Sequence, residues 1–273
     1  MAVTIAEIQH LRKMTGAGMM DCKNALNEAN GDFEKAMEII RKKGQAIAAK
    51  REDREASEGC VLAKSEGDFG AIVALQCETD FVAKNETFIA LTQKILDAAI
   101  AHRPETLEQL LAVELPEGTI AQLITDKIGA TGEKMELGFY EHLNAPFVAS
   151  YIHMGNKLAT IAGFNKAGVS EQVGKEIAMQ IAAMNPVSVT PDAIPVEVKE
   201  RELEIARDKA RQAGKPEQLL DRIAEGALHK FYKEATLLQQ EYVKDSKKTV
   251  EQYLKENDKE LTVTAFKRVS LNA

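Results

Sequence analysis

Apolar residues recur along this chain with two different periods, and the switches between them outline its elements. Ile5, Ile8 and Leu11 fall at helical spacing, behind Thr4 and Glu7 spaced as a capping box. Gly16-Ala17-Gly18 breaks that helix, and Met19 to Ala29 begins another. Asn30-Gly31-Asp32 supplies a stop and a new N-cap. Phe33, Ala36, Met37 and Ile40 then form a third stripe, which ends at Gly44. The charged stretch Lys50 to Glu58 reads as a linker. The period then shortens to two. Gly59 to Lys64 and Phe69 to Cys77 read as a hairpin turning at Glu66-Gly67-Asp68. A helix from Asn85 to Ala101 is predicted to pack on it, with Phe88, Leu91 and Ile95 on one stripe. Short helices at Thr106 to Ala112 and Thr119 to Lys127 follow, then a strand from Lys134 to Leu143.

The same grammar recurs in the second half. Phe147 to His153 and Lys157 to Phe164 form a second hairpin, turning at Met154-Gly155-Asn156, followed by a helix from Ser170 to Met184. This reads as a duplicated hairpin-plus-helix module. Pro186, Pro191 and Pro195 mark a boundary. Beyond them Val196 to Ala213 is a polar helix, Gly214-Lys215-Pro216 a turn, and Glu217 to about Tyr242 a longer helix. Together they suggest a projecting antiparallel helical hairpin. Thr249 to Lys255 and Leu261 to Leu271 read as a helix and a strand that joins the second sheet. The expected fold class is α+β. The expected units are 1–54, 55–145, 146–185 with 244–273, and the hairpin 186–243.

The two modules differ at one point. Between strand and helix the second has only Asn165-Lys166-Ala167-Gly168, whereas the first has Thr79-Asp80-Phe81-Val82. Thr79 is placed to cap a short turn, Asp80 suits the positive end of that turn, and Asn85 caps the next helix. Phe81 falls between the two caps, where an aromatic has little room to reach the core. Large apolar side chains are mostly buried, so the competing reading is a core phenylalanine. The second module is complete without such an insert, which favours a wedge that enters a partner. Met19 and Met20 follow a glycine turn and form a second candidate surface, since methionine adapts to apolar partners. One of the two is expected inward and the other exposed.

The segments Leu11 to Leu26 and Thr79 to Asn85 closely resemble elongation factor Ts, the bacterial nucleotide-exchange factor for EF-Tu. The resemblance extends through Lys127-Ile128-Gly129, Ser150-Tyr151-Ile152-His153, Gly214-Lys215-Pro216 and Ser246 to Val250. It implies an N-terminal domain like ubiquitin-associated domains, and a chain that binds EF-Tu·GDP and promotes GDP release in translation elongation. It implies EF-Tu contacts at Leu11, Met19, Met20, Lys23, Thr79, Asp80, Phe81, Val82, Ile128, Gly129 and His153. Spacing alone makes Ile128-Gly129 a helix end with a C-cap glycine, and His153 a turn residue. Some family members continue into a further C-terminal helical segment that embraces the GTPase, and that contact is expected to be missing here. Residues 237–244 match the family poorly, so the contact to the distal EF-Tu domain is not carried over.

Composition narrows the alternatives. The chain has 273 residues, 45% hydrophobic and 28% charged, with net charge −7. That charge weighs against a general nucleic-acid binder, although Arg41-Lys42-Lys43 with Lys50-Arg51 is a candidate basic patch. The sequence lacks a phosphate-cradling glycine loop, so no direct nucleotide binding and no cofactor are expected. Three cysteines in a chain of this size, 22, 60 and 77, suggest a reducing compartment; with no leader or apolar span read, a cytoplasmic, membrane-free protein is expected. An enzyme is not expected. A cysteine hydrolase would need Cys77 as nucleophile, His153 as base and Asp80 as orienter. A passive binding module is the other alternative. The hairpin either pairs two copies or stands as a monomer's arm, and its polar first arm weighs against a strong coiled-coil dimer.

Overall fold

The computed structural model describes residues 3–271. Three helices open the chain: α1 (Ile5–Thr15), α2 (Met19–Glu28) and α3 (Phe33–Lys50). Thr4 and Glu7 form the capping box, Gly16 ends α1 at φ 70°, and Asp32 caps α3 by accepting from Lys35 N. Ile8, Leu11, Cys22, Ala25, Leu26 and Ala36 fill the small core. Two expectations need correction here. α3 does not stop at Gly44 but runs through it to Lys50, because Ile47 and Ala48 bury themselves against the next core. The segment read as a linker from Lys50 is tied down, with Arg51 Nη1 on Glu78 at 2.8 Å and Lys134 Nζ on the Glu52 carbonyl at 3.0 Å.

The first sheet comprises β1 (Glu58–Glu66), β2 (Phe69–Cys77) and, after the helices, β5 (Met135–Asn144). Its order is β1-β2-β5, all antiparallel, with Glu58 opposite Cys77 and Glu66 opposite Phe69. Between β2 and β5 lie α4 (Asp80–Ala83), α5 (Glu86–His102), α6 (Leu107–Leu111), the short pair β3 (Glu114–Leu115) and β4 (Gly118–Thr119), and α7 (Ile120–Thr131). Strand alternation divides the sheet's two faces. Cys60, Leu62, Val73 and Leu75 pack with Phe88, Ile95 and Ala99 of α5, while Val61, Ala63, Ile72 and Ala74 face the second sheet.

That second sheet contains β6 (Phe147–Ile152) and β7 (Leu158–Phe164), and α8 (Glu171–Met184) covers its outer face. The chain then makes α9 (Val196–Gln212) and α10 (Leu220–Ala235), antiparallel around Gly214 at φ 70°. It returns through β8 (Glu241–Tyr242), β9 (Asp245–Thr249), α11 (Val250–Asn257) and β10 (Val263–Ser270). β10 pairs with β7, giving the order β10-β7-β6, as the pattern of the chain end suggests. Two sheets thus meet through Val61, Ile72, Val148, Ile161 and Val269, with α5 and α8 outside.

The long helix expected to reach Tyr242 ends at Ala235. Leu237 enters the second core instead, and Gln240 is buried, donating to the carbonyls of Met184 and Glu234. The β8–β9 ribbon was not legible in the sequence. It is held by Glu176 of α8, whose carboxylate accepts from Tyr242 Oη at 2.6 Å, Lys244 Nζ at 2.8 Å, Tyr253 Oη and Gln172 Nε2. Burial alone raises that carboxyl's pKa, but these donors outweigh it and pull it down to about 2.

Candidate partner-binding site

The stretch from β2 to α5 is built from two caps in series. Thr79 is extended, at φ −125° and ψ 152°, and its hydroxyl accepts from Val82 N, starting α4. The same residue is fastened from outside: Thr79 N donates to Glu133 Oε2 at 3.1 Å, and its Oγ1 donates to Glu133 Oε1 at 2.7 Å. Glu78, one residue earlier, accepts from Lys134 N at 2.7 Å and from Arg51. Asn85 then accepts from Thr87 N at 2.9 Å and starts α5. A four-residue helix fixed at both ends can turn only some of its side chains inward. Ala83 is buried and Val82 packs on the first core, which leaves Phe81 pointing away.

Phe81 is 84% exposed. Such exposure strips a phenylalanine of the burial, worth roughly 1.5–3 kcal/mol, that folding ordinarily secures. The core reading of Phe81 is therefore set aside. Asp80 flanks it, partly exposed, with Lys84 Nζ on its Oδ2 at 2.6 Å. That hydrogen bond, with the ammonium charge, holds the Asp80 carboxyl below the usual aspartate range.

A second exposed surface lies on the three-helix unit. Met19 is 37% exposed and Met20 63%, so the expectation of one inward methionine fails. Leucines, alanines and Cys22 already fill that small core, and α2 begins only at Met19, before its inward face is established. Lys23 is exposed beside them. Leu11, by contrast, is fully buried and offers nothing outward.

Ile128-Gly129 is likewise corrected. α7 continues to Thr131 and is capped by Gly132 at φ 75°, so the pair lies inside the helix. Ile128 is buried in the first core, and Gly129 packs against Gly44 of α3. His153 is exposed at the end of β6, with Nδ1 3.1 Å from the Tyr151 hydroxyl. Its neighbour Met154, at 90%, is the most exposed large apolar residue among those described, and the sequence reading passed it over. The available signal was its position, a methionine between His153 and a glycine turn, outside the strand alternation that buries apolar residues. Glu133, which anchors Thr79, carried no signal because it lies 54 positions away.

The hydrolase arrangement loses its nucleophile. Cys77 is fully buried and donates to the Thr79 carbonyl at 3.2 Å. Burial, reinforced by the Glu133 charge, pushes its thiol up to about 12. Four of the five cations of the candidate basic patch face carboxylates. Arg41 faces Asp126, Lys42 faces Glu38, Lys43 faces Asp21 and Arg51 faces Glu78. Among the described residues no group of three or more His, Cys, Asp or Glu is placed to hold a metal, and no helix is long and apolar enough to cross a membrane.

The geometry at α4 is therefore that of a rigidly presented side chain rather than of a reaction centre. The family described as Elongation factor TS matches residues 78–273. Elongation factor Ts of Porphyromonas gingivalis ATCC 33277 is 65% identical over 274 residues, covering 100% of both chains. That of Azobacteroides pseudotrichonymphae is 56% identical over 272 residues, covering 100% of this chain and 99% of the relative. That of Bacteroides fragilis ATCC 25285 is 48% identical over 330 residues, covering 100% of both. This chain belongs to the elongation factor Ts family, and its class is that of a translation elongation factor.

Proposed function

We propose that this chain is a guanine-nucleotide exchange factor that docks on EF-Tu·GDP and speeds GDP release during elongation. The observation that carries the reading is Phe81, 84% exposed on a helix pinned at both ends, within a family of elongation factors. Asp80 and Phe81 press on the nucleotide end of the GTPase, with Thr79 and Val82 fixing their direction. Met19, Met20 and Lys23 on the 1–54 unit grip a second region, and His153 at the β6 end adds a third. Leu11, Ile128 and Gly129 act from within, as packing beneath those surfaces. The factor needs no bound nucleotide, nucleic acid or membrane of its own. Its place of work is the cytoplasm, where three unbonded cysteines are at home.

Exchange requires only tighter binding to the nucleotide-free GTPase than to the loaded one, and by linkage GDP must weaken the factor's grip equally. Magnitude sets how this is divided. One buried Phe contributes roughly 1.5–3 kcal/mol, or about one to two decades of nucleotide affinity. Further destabilisation must come from the second surface acting at the same time. Stopped-flow release of labelled GDP from EF-Tu, with and without this chain, tests the reading. Binding without acceleration would leave a passive module that docks through the exposed methionines.

A further inference from the structure

α3 is shared between two cores. Ala36, Met37 and Ile40 serve the three-helix unit, while Ile47 and Ala48 pack on the first sheet's core. Between those halves, at Gly44, it crosses α7. A Cβ placed on Gly129 would lie 2.7 Å from Gly44 Cα; one on Gly44 would lie 3.2 Å from the Thr125 carbonyl oxygen and 3.4 Å from Gly129 Cα. Carbon atoms ordinarily pack at about 3.5–4.0 Å. The obstructing atoms are backbone on both helices, so no flexible side chain can give way.

Neither glycine sits at a positive φ, so conformational freedom does not explain them. Each lies in a helix interior, where alanine is the better helix former. Close approach is the remaining reason. The contact is braced by Arg41 on Asp126 at 3.6 Å, and the far end of α3 reaches the root of the wedge through Arg51 and Glu78 at 2.8 Å.

We infer that the Gly44–Gly129 crossing is a positioning joint, which sets the span between the Met19–Met20 surface and Phe81 so that both engage one partner together. The inference rests on the exchange reading above. Two contacts on one rigid body reinforce each other only when their separation matches the partner. An added methyl forces the helices apart by roughly 1 Å to restore ordinary carbon contact, and the three-helix unit shifts as a body.

The test uses the full chain carrying Gly129→Ala, with Gly44→Ala as the milder second variant. Gly226→Ala in α10 is the control, because nothing lies within 4 Å of a Cβ there. Labels at Glu28→Cys and Glu108→Cys report the span by pulsed electron resonance; the native cysteines are buried. Gly129→Ala is expected to shift the span and to cut stimulated GDP release roughly ten- to a hundredfold, the scale of about 1 Å misplacement, while Gly226→Ala changes neither. In the Gly129→Ala background Met20→Ala is expected to lose most of its effect on affinity, while Phe81→Ala keeps its own. A purely structural glycine would leave both effects intact. An unchanged span with unchanged release in the folded Gly129→Ala and Gly44→Ala proteins overturns the joint. If the unaltered chain fails to speed release, the exchange reading fails instead, and the span measurement still reports on the joint.

Discussion

The two strand-to-helix connectors of the molecule solve one problem in different ways. Between β7 and α8 the chain turns at Gly168, φ 78°, and Asn165 is locked to Glu260 and Thr262 at 2.8 and 2.9 Å. Ser170 caps α8, and the turn exposes no large apolar side chain. Between β2 and α5 the chain spends an added helix, α4, fastens it to Glu133 fifty-four positions away, and uses it to hold an aromatic in water. Both connectors deliver a hairpin to its helix, so the fold does not need α4. An ordered feature that folding does not need, and that leaves apolar surface unburied, is best explained by a contact outside the chain.

Phe81→Ala breaks the comparison most directly, by making the first connector as blunt as the second. Stimulated GDP release is expected to fall about ten- to a hundredfold, with folding stability changed by less than about 0.5 kcal/mol because the side chain is already exposed. Labelled-GDP release beside thermal unfolding separates the two quantities. The wedge account does not survive an unchanged release rate.

The reverse pattern is expected at Glu176, which braces the second module behind its plain connector. Glu176→Gln should cost about 2–3 kcal/mol of stability by weakening charged hydrogen bonds, yet leave release per folded molecule near normal. The carboxyl is depressed from 4.5 to about 2, so the folded state binds its proton more weakly than the unfolded one. Its stabilisation is complete above pH about 4.5 and is lost as pH falls towards about 2. Acid unfolding of the wild type should steepen in that window, and the Gln variant should lack that component. Thr79→Ala ranks next. Removing the cap and the hydroxyl's link to Glu133, while the backbone N–H link remains, should cost about 1 kcal/mol and slow release severalfold by loosening Phe81, a split that unfolding and exchange measured together will expose.

The local part of this design was readable in the residues. Thr79 and Asn85 as caps, the Thr4–Glu7 box and the placing of β10 in the second sheet follow from short-range chemistry that a sequence displays. What failed depends on distant partners. Gly44 and Gly129 look like helix stops until each meets the other's backbone, 85 positions apart. One of Met19 and Met20 looked like core because nothing local says how much volume the three helices leave to fill. Tyr242 looked helical because the hydroxyl acceptor that draws it inward, Glu176, is supplied by α8.

Met154 sets the smallest expected effect and tests whether the wedge acts alone. Its turn is held against β1 by Val61 N on the Asn156 carbonyl at 2.7 Å and by the Lys157–Glu58 pair. α4 packs on the same strand, so Met154 and Phe81 belong to one end of the molecule. Single exposed apolar residues are common and mostly without consequence. This one is presented by Gly155 at φ 91° and Asn156 at φ 55°, a tight turn that gives the side chain no shelter. A rim contact there should contribute about 0.5–1 kcal/mol, so Met154→Ala should weaken binding to the nucleotide-free GTPase roughly two- to fivefold. Stability should not change. If affinity is also unchanged, the docking surface stops short of the β6–β7 turn, and the first module's connector alone carries the contact at this end.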